Sequence, residues 1–160
     1  MAAPAPYNGV SGRNNLSNYA IALRGHYEWL YRWSDEMNTD AQLDLKKLAQ
    51  FIYRHCLGFQ AAYAALNDAN AGPVMAAAVR TEFADQGIAW PDDATMKADL
   101  TTINNACNTM YTWVENNFPQ AKSFATRTFD AQGNEIEVPN VVTKPAGLQT
   151  RINQFRALFA

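Results

Sequence analysis

The chain has 160 residues, of which 48% are apolar and 18% are charged, and its formal net charge is −2. One domain of this length can bury ~two-thirds of its unfolded surface, and the apolar content excludes an intrinsically disordered protein. The slightly acidic balance argues against nucleic-acid or anionic-lipid binding by bulk charge. No run of ~18 apolar residues occurs, so the sequence predicts no membrane-spanning helix.

Residues 1–13 are predicted to form an extended N-terminal arm ahead of a single helical domain at residues 14–160. The arm, MAAPAPYNGVSGR, is rich in Ala, Pro and Gly, and Tyr7 is its one large aromatic residue. Such a composition cannot build a core of its own. The arm also lacks the basic cluster and apolar run of a signal peptide, so we expect synthesis in a reducing cytoplasm.

A long first helix is predicted to begin at Asn14 or Asn15, either of which can cap it. Its apolar residues repeat in two heptad rows, which are Leu16, Leu23, Leu30 and Met37, and Tyr19, His26 and Trp33. The segment HYEWLYRW, residues 26–33, places Tyr27, Trp29 and Tyr31 beside or opposite that seam. A helix with aromatic residues on most sides is buried on most sides, by its own domain or by other chains.

Four more helices are predicted before residue 119. A capping box of Thr39 and Gln42 is expected to start the second helix, whose apolar face is Ala41, Leu45, Leu48, Ile52, Cys56 and Phe59. An alanine-rich helix ends at Gly72, and another runs from Pro73 to Gln86. The most regular pattern follows, with steps of three and four along Met96, Leu100, Ile103, Cys107, Met110, Val114 and Phe118.

A β-hairpin is predicted at about residues 123–142. Its strands FATRTF and EIEV are separated by DAQGN, in which Gly133 can adopt the left-handed conformation that closes a three-residue loop. This register pairs Asp130 with Asn134, Thr128 with Ile136, and Arg127 with Glu137. An isolated two-stranded ribbon is only marginally stable, so we expect the hairpin to dock, either on its own bundle or on a neighbouring subunit.

The last helix is predicted at about residues 145–159, with Leu148, Ile152, Phe155 and Phe159 on one side. The fold class is therefore all-α: a bundle of five or six helices with an extended N-terminal arm and one C-terminal β-hairpin.

No arrangement typical of catalysis or metal binding is present in the sequence. His26 lies in the heptad seam and is expected to be a hydrogen-bonded core histidine. His55 adjoins Cys56, but neighbouring helical residues do not face each other. Cys56 and Cys107 fall on apolar stripes and are expected to be buried, reduced thiols. We expect no enzymatic activity, no catalytic or metal-ligating residues and no cofactor.

The sequence signals for a phosphate-binding or nucleic-acid-binding site are equally weak. The segment GVSG lacks the strand and helix that flank a phosphate loop. The segment RGHYEWLYRW, residues 24–33, mixes arginine with aromatic residues, but its glutamate and the acidic net charge oppose nucleic-acid binding.

The plan of the chain resembles small helical virion proteins of tailed bacteriophages, such as neck, tail, baseplate or capsid accessory components. The C-terminal third, TRTFDAQGNEIEV followed by AGLQTRINQFRALF, is similar to the ribbon and amphipathic helix of such proteins. The resemblance implies a structural subunit of the virion, assembled in the host bacterial cytoplasm, with other virion proteins and copies of itself as partners. The expected interface residues are Tyr7, Tyr27, Trp29, Tyr31, Arg127, Phe129, Ile136 and Val138.

Two alternatives remain open from the sequence. The first is a helical enzyme or small-ligand-binding protein with a pocket around His26. The second is a phage-encoded regulator that binds a host protein through the aromatic segment.

Overall fold

The computed structural model describes residues 12–136 and 139–159, with side chains from Asn18 onward. Six α-helices and one small antiparallel sheet make up this part of the chain, which confirms the predicted all-α class. Most of the predicted arm, residues 1–11, lies outside the described residues, and α1 begins at Gly12, ahead of the predicted start at Asn14 or Asn15. The elements are α1 (Gly12–Thr39), β1 (Gln42–Asp44), α2 (Leu45–Ala49), a π-helix (Gln50–Cys56), α3 (Leu57–Leu66), α4 (Gly72–Ala84), α5 (Asp93–Asn117), a 3₁₀-helix (Pro119–Phe124), β2 (Val141–Thr143) and α6 (Ala146–Ala157).

The predicted helical faces form the core. In α1 the heptad residues Leu23, Leu30 and Met37 are buried, and α1 packs against α3, α4, α6 and the π-helix. Asp92 caps α5 by accepting a hydrogen bond from the backbone N–H of Thr95 at 2.7 Å. The predicted α5 stripe is buried at Met96, Leu100, Ile103, Cys107, Met110 and Val114.

The predicted start of the second helix is wrong. Thr39 is the last residue of α1, and its hydroxyl donates to the Glu36 carbonyl. Gln42 begins strand β1, and Asp44 caps α2 by accepting from the backbone N–H of Lys46 at 2.8 Å. The physical reason is the pairing of β1 with β2, which lies about 100 residues further along the chain and leaves no local signal.

α2, the π-helix and α3 form one uninterrupted helical stretch from residue 45 to 66. The π-helix adds a residue to the turn, because its hydrogen bonds span five residues rather than four. Within this π-helix His55 and Cys56, although adjacent, are both buried. Of the predicted face, Leu45, Leu48, Ile52, Cys56 and Phe59 are buried, and His55 joins them. Ala41 is exposed and precedes β1, so its place on that face was wrong.

The C-terminal segment fastens the end of α1. Val142 pairs with Leu43 in the sheet, and α6 buries Leu148, Ile152 and Phe155 as predicted. The Lys144 ammonium donates to the carbonyls of Met37 and Asp40 at 2.7 Å each and of Asn38 at 3.4 Å. These carbonyls lie at or just beyond the last turn of α1, where helix carbonyls lack helical partners, so Lys144 caps the helix.

The hairpin turn is confirmed, and its flanks differ from the prediction. Gly133 has a φ of 82°, and the backbone N–H of Asp130 donates to Asn134 at 2.8 Å, as that of Ile136 does to Thr128. A single bridge joins Phe129 and Glu135. The first flank begins after the 3₁₀-helix that ends at Phe124. The second flank is described as far as Ile136, and from residue 139 the chain leads to β2, which pairs with β1.

Candidate functional site: the aromatic surface of the first helix

The three aromatic residues predicted as interface candidates on α1 lie on two different sides of the helix. Tyr27 and Tyr31 are one turn apart, and both contact Phe159 after α6, at ring distances of 5.2 and 5.5 Å. Tyr27 is half-buried, while Tyr31 is 50% exposed. Trp29 is 39% exposed and contacts His55 instead. The predicted patch is therefore two surfaces.

Beside Tyr27 and Tyr31 runs an open groove of about 580 Å³. We call it the tyrosine groove, and it is lined by Tyr27, Glu28, Tyr31, Arg32, Asp35, Glu36, Gln86, Ile88 and Phe159. Its floor is rigid, because the Tyr27 ring also packs edge-on against the buried Phe83 at 5.1 Å. Sequence patterns placed Phe159 on an apolar stripe, but they gave no sign that it would meet α1.

The electrostatics of the tyrosine groove are mildly acidic. Three carboxylates face one guanidinium among its lining residues, although Arg156 pairs with Asp35 at 2.7 Å and Lys47 with Glu36 at 3.4 Å. Burial raises the pKa of the Tyr27 phenol, and Asp99 adds to the effect. Tyr27 thus keeps its hydroxyl proton at neutral pH and can donate a hydrogen bond.

On the other side of α1, aromatic rings form a stack. The Trp29 ring lies nearly parallel to His55, with 5.5 Å between centroids and 12° between planes. Trp33 stacks on Trp29 at 5.8 Å, and the Arg32 guanidinium lies 4.6 Å from the Trp29 centroid. These contacts cover much of Trp29, so this side of α1 is better packed than the tyrosine groove.

His26 and His55 form a hydrogen-bonded pair with 3.1 Å between their Nδ1 atoms. Burial lowers the pKa of His26, and Arg54 adds to this; burial, His26 and Arg54 lower the pKa of His55 to about 4. Both rings are therefore neutral at pH 7, and one donates its Nδ1 proton to the other. The predicted hydrogen bond of His26 is present, but His26 is half-buried and the buried member of the pair is His55, 29 residues away, which the sequence did not indicate.

The His26 ring lies directly against Gly58. A Cβ atom added to Gly58 would lie 2.4 Å from the His26 ring, so that position accepts only glycine unless the ring moves. The tyrosine groove and a second groove at the hairpin are lined by other residues. The arrangement fits a packing role for His26 better than a ligand pocket around it.

The cysteines lie together in the core. Cys56 on the π-helix and Cys107 on α5 are both buried and free, as expected. Burial raises the pKa of the Cys56 thiol well above its ordinary value, and a hydrogen bond with Cys107 contributes. A thiol with a raised pKa is a poor nucleophile at neutral pH. Among the described residues no three His, Cys, Asp or Glu side chains are grouped to hold a metal ion.

The hairpin tip stands away from the bundle. Phe129 is 50% exposed and Ile136 is 44% exposed, and the two occupy opposite faces of the ribbon. The predicted ion-pair partner of Arg127, Glu137, lies outside the described residues; Arg127 pairs with Glu135 at 2.9 Å. A groove of about 530 Å³ separates the hairpin from Lys46 and Gln50.

Two predicted interface residues, Tyr7 and Val138, also lie outside the described residues. Each helix in residues 12–136 and 139–159 is too short or too polar to cross a bilayer. No family model, curated protein or solved structure matches the chain.

Proposed function

We propose that the chain is a non-enzymatic structural subunit that assembles with copies of itself and with other proteins. The observation that supports this most is the exposure of Phe129 and Ile136 on opposite faces of the hairpin. Single exposed apolar side chains are normal on protein surfaces. A ribbon with an exposed apolar residue on each face, by contrast, leaves apolar area on both faces for other proteins to contact, and it suits insertion between subunits.

The tyrosine groove supports the same proposal independently. Tyr31 is half-exposed beside Phe159 and Ile88, in an open depression on a long and well-anchored helix. Aromatic residues are enriched at the centres of protein interfaces, where they bring large contact area at little cost in conformational entropy. Hairpin and groove thus offer two separate surfaces with exposed apolar side chains, which is what a subunit with at least two neighbours requires.

We extend the proposal to a tailed-phage virion component of the neck, tail or baseplate, located in the virion after assembly in the bacterial cytoplasm. This finer assignment rests on the plan of the chain: an Ala/Pro arm, an all-α body, and a ribbon followed by an amphipathic helix. Isolation of virions from the source phage and peptide mass spectrometry test it. Recovery of the chain in purified particles supports the assignment, and its absence from them contradicts it.

The surfaces are tested by replacing single residues with glutamate. Phe129→Glu and Tyr31→Glu should each reduce assembly, because a buried unpaired charge at an interface is costly. Val74→Glu is the matched control, since Val74 is exposed on α4. Light scattering coupled to size exclusion measures the assembled fraction. Equal assembly by all three variants would contradict the assignment of these surfaces.

A further inference from the structure

We propose that the tyrosine groove of one copy binds the N-terminal segment, residues 1–11, of a second copy. The inference rests on the proposed function, and it names the contact through which copies of the chain join. It follows from the chemistry of the groove, the composition of the segment and the distance between them.

The groove has the features that bind proline-rich peptides. Such peptides adopt a polyproline II helix and dock into shallow grooves lined by aromatic rings, where a preformed conformation keeps the entropy loss small. The rings of Tyr27, Tyr31 and Phe159 line the tyrosine groove, with Ile88 completing its apolar part. The protonated Tyr27 hydroxyl supplies a donor for a peptide carbonyl, since polyproline II leaves its carbonyls without internal partners.

The N-terminal segment matches that groove in composition. Its sequence, MAAPAPYNGVS, contains two prolines alternating with alanine, followed by Tyr7. It contains no acidic side chain, so the carboxylates of Glu28, Asp35 and Glu36 would not repel it. Within residues 1–11 Tyr7 is the one aromatic side chain, which makes it the natural anchor for an aromatic-lined site.

The reach of Tyr7, the expected anchor, favours a groove on another copy. Helix α1 begins at Gly12, and Tyr27 lies 15 residues further along, which is about 22 Å at the helical rise per residue. Tyr31 lies further still. Gly12 is five residue steps from Tyr7, and a fully extended chain spans at most about 18 Å over that length. In its own chain the Tyr7 backbone therefore falls short of the level of Tyr27, whereas this limit does not apply to a second copy.

The test uses the full chain with the photo-cross-linker p-benzoyl-phenylalanine in place of Tyr7. Equal amounts of unlabelled protein and protein labelled with heavy nitrogen are mixed in denaturant, refolded together so that multimers contain both isotopes, and irradiated. The cross-linked peptides are identified by mass spectrometry. We expect mixed-isotope peptides that join position 7 to groove peptides containing Tyr27, Tyr31 or Phe159. Single-isotope cross-links alone would show binding within one chain and overturn the proposal.

Variants in the same cross-linking background sharpen the test. Tyr31→Ala should lower the yield of the mixed-isotope product about ten-fold or more, as expected for loss of an aromatic anchor. Val74→Ala, at an exposed apolar site outside the groove, should leave the yield unchanged. Equal yields from the two variants would overturn the proposal.

The molar mass of the same samples separates this proposal from the proposed function. Multimers whose cross-links from position 7 fall outside the groove would overturn the docking site and leave the assembly proposal standing. A monomer without inter-chain cross-links would count against both.

Discussion

Residues 139–159 and residues 125–136 are close in sequence, yet they differ in how they contact the rest of the molecule. The former segment is tied to elements about 100 residues away: the Leu45 N–H donates to the Asn140 carbonyl at 2.6 Å, and Lys144 caps α1. Phe155 packs edge-on against Phe51 in the core. This segment is part of the folded bundle.

The hairpin, in contrast, is stabilised by hydrogen bonds and an ion pair between its own residues. The Asp130 carboxylate accepts from the backbone N–H groups of Gln132 and Asn134 at 2.9 Å each, and Arg127 bonds Glu135. The described side chains of residues 125–136 are all exposed. Turn chemistry has therefore shaped a hairpin that contributes little to the core.

The comparison indicates two groups of residues: those that stabilise the bundle and those that serve assembly. Residues that stabilise the bundle are buried or bonded to distant elements, and their replacement should lower the free energy of unfolding. Residues that serve assembly are exposed and bonded locally, and their replacement should change molar mass instead. The following substitutions test that separation, beginning with the largest expected effect.

Phe155→Ala should lower the free energy of unfolding by about 3–5 kcal/mol, because it removes a buried ring and leaves a cavity against Phe51. Urea or guanidinium denaturation measures the change. Gln154→Ala is the control, since Gln154 is an exposed neighbour on α6, and its effect should stay within about 0.5 kcal/mol. A similar small effect from Phe155→Ala would mean that α6 is not docked as described.

The histidine pair makes bundle stability depend on pH. The pKa of His55 is about 4 in the folded chain against an ordinary value of 6.5, so between these values the unfolded chain binds a proton that the folded chain does not. Keeping His55 neutral therefore adds to the free energy of unfolding in full above pH 6.5, and this addition is lost as the pH falls toward 4. The loss is roughly 3 kcal/mol in total, since one pKa unit corresponds to about 1.4 kcal/mol.

Denaturation of the wild type and of His55→Gln at pH 7 and pH 5 checks the histidine prediction. The wild type should lose more stability between the two pH values than the variant, since other titrating groups contribute similarly to both. Equal losses would show that His55 is not shielded from protonation.

Lys144→Met should lower the free energy of unfolding by about 1–3 kcal/mol, because the carbonyls at the end of α1 lose a charged donor. Lys122→Met, at an exposed site in the 3₁₀-helix, is the matched control and should have no measurable effect. If both substitutions behave alike, the ammonium does not cap α1.

Phe129→Ala should have the smallest effect on the bundle, within about 0.5 kcal/mol, because half of its side chain is already exposed. The same substitution should reduce self-association, which light scattering measures. A large loss of stability without any change in association would reverse the roles given to the hairpin and the bundle.

Regular patterns and local turn chemistry made much of this fold predictable. The heptad of α1, the stripe of α5 and the turn at Gly133 depend on residues within a few positions of each other, and all three are confirmed. Contacts between distant segments left no such signal. The pairing of β1 with β2 and the meeting of His26 with His55 arise only when the bundle closes.

The candidate site was likewise predictable only where it depends on residues close together in the sequence. The exposure of Trp29 and Tyr31 follows from an excess of aromatic residues around α1, which the sequence shows directly. Their division between two surfaces depends on Phe159 and His55, which reach α1 from other elements. The groove itself could not be predicted, because it forms only when these elements pack together.

The most direct test of the account is the molar mass of the full chain in solution, measured by sedimentation equilibrium over a series of concentrations. The chain has a mass of 17.8 kDa. We expect a discrete multiple of that mass, decreasing when Tyr31 or Phe129 is replaced by glutamate. A mass of 17.8 kDa at every concentration would contradict self-assembly through these surfaces.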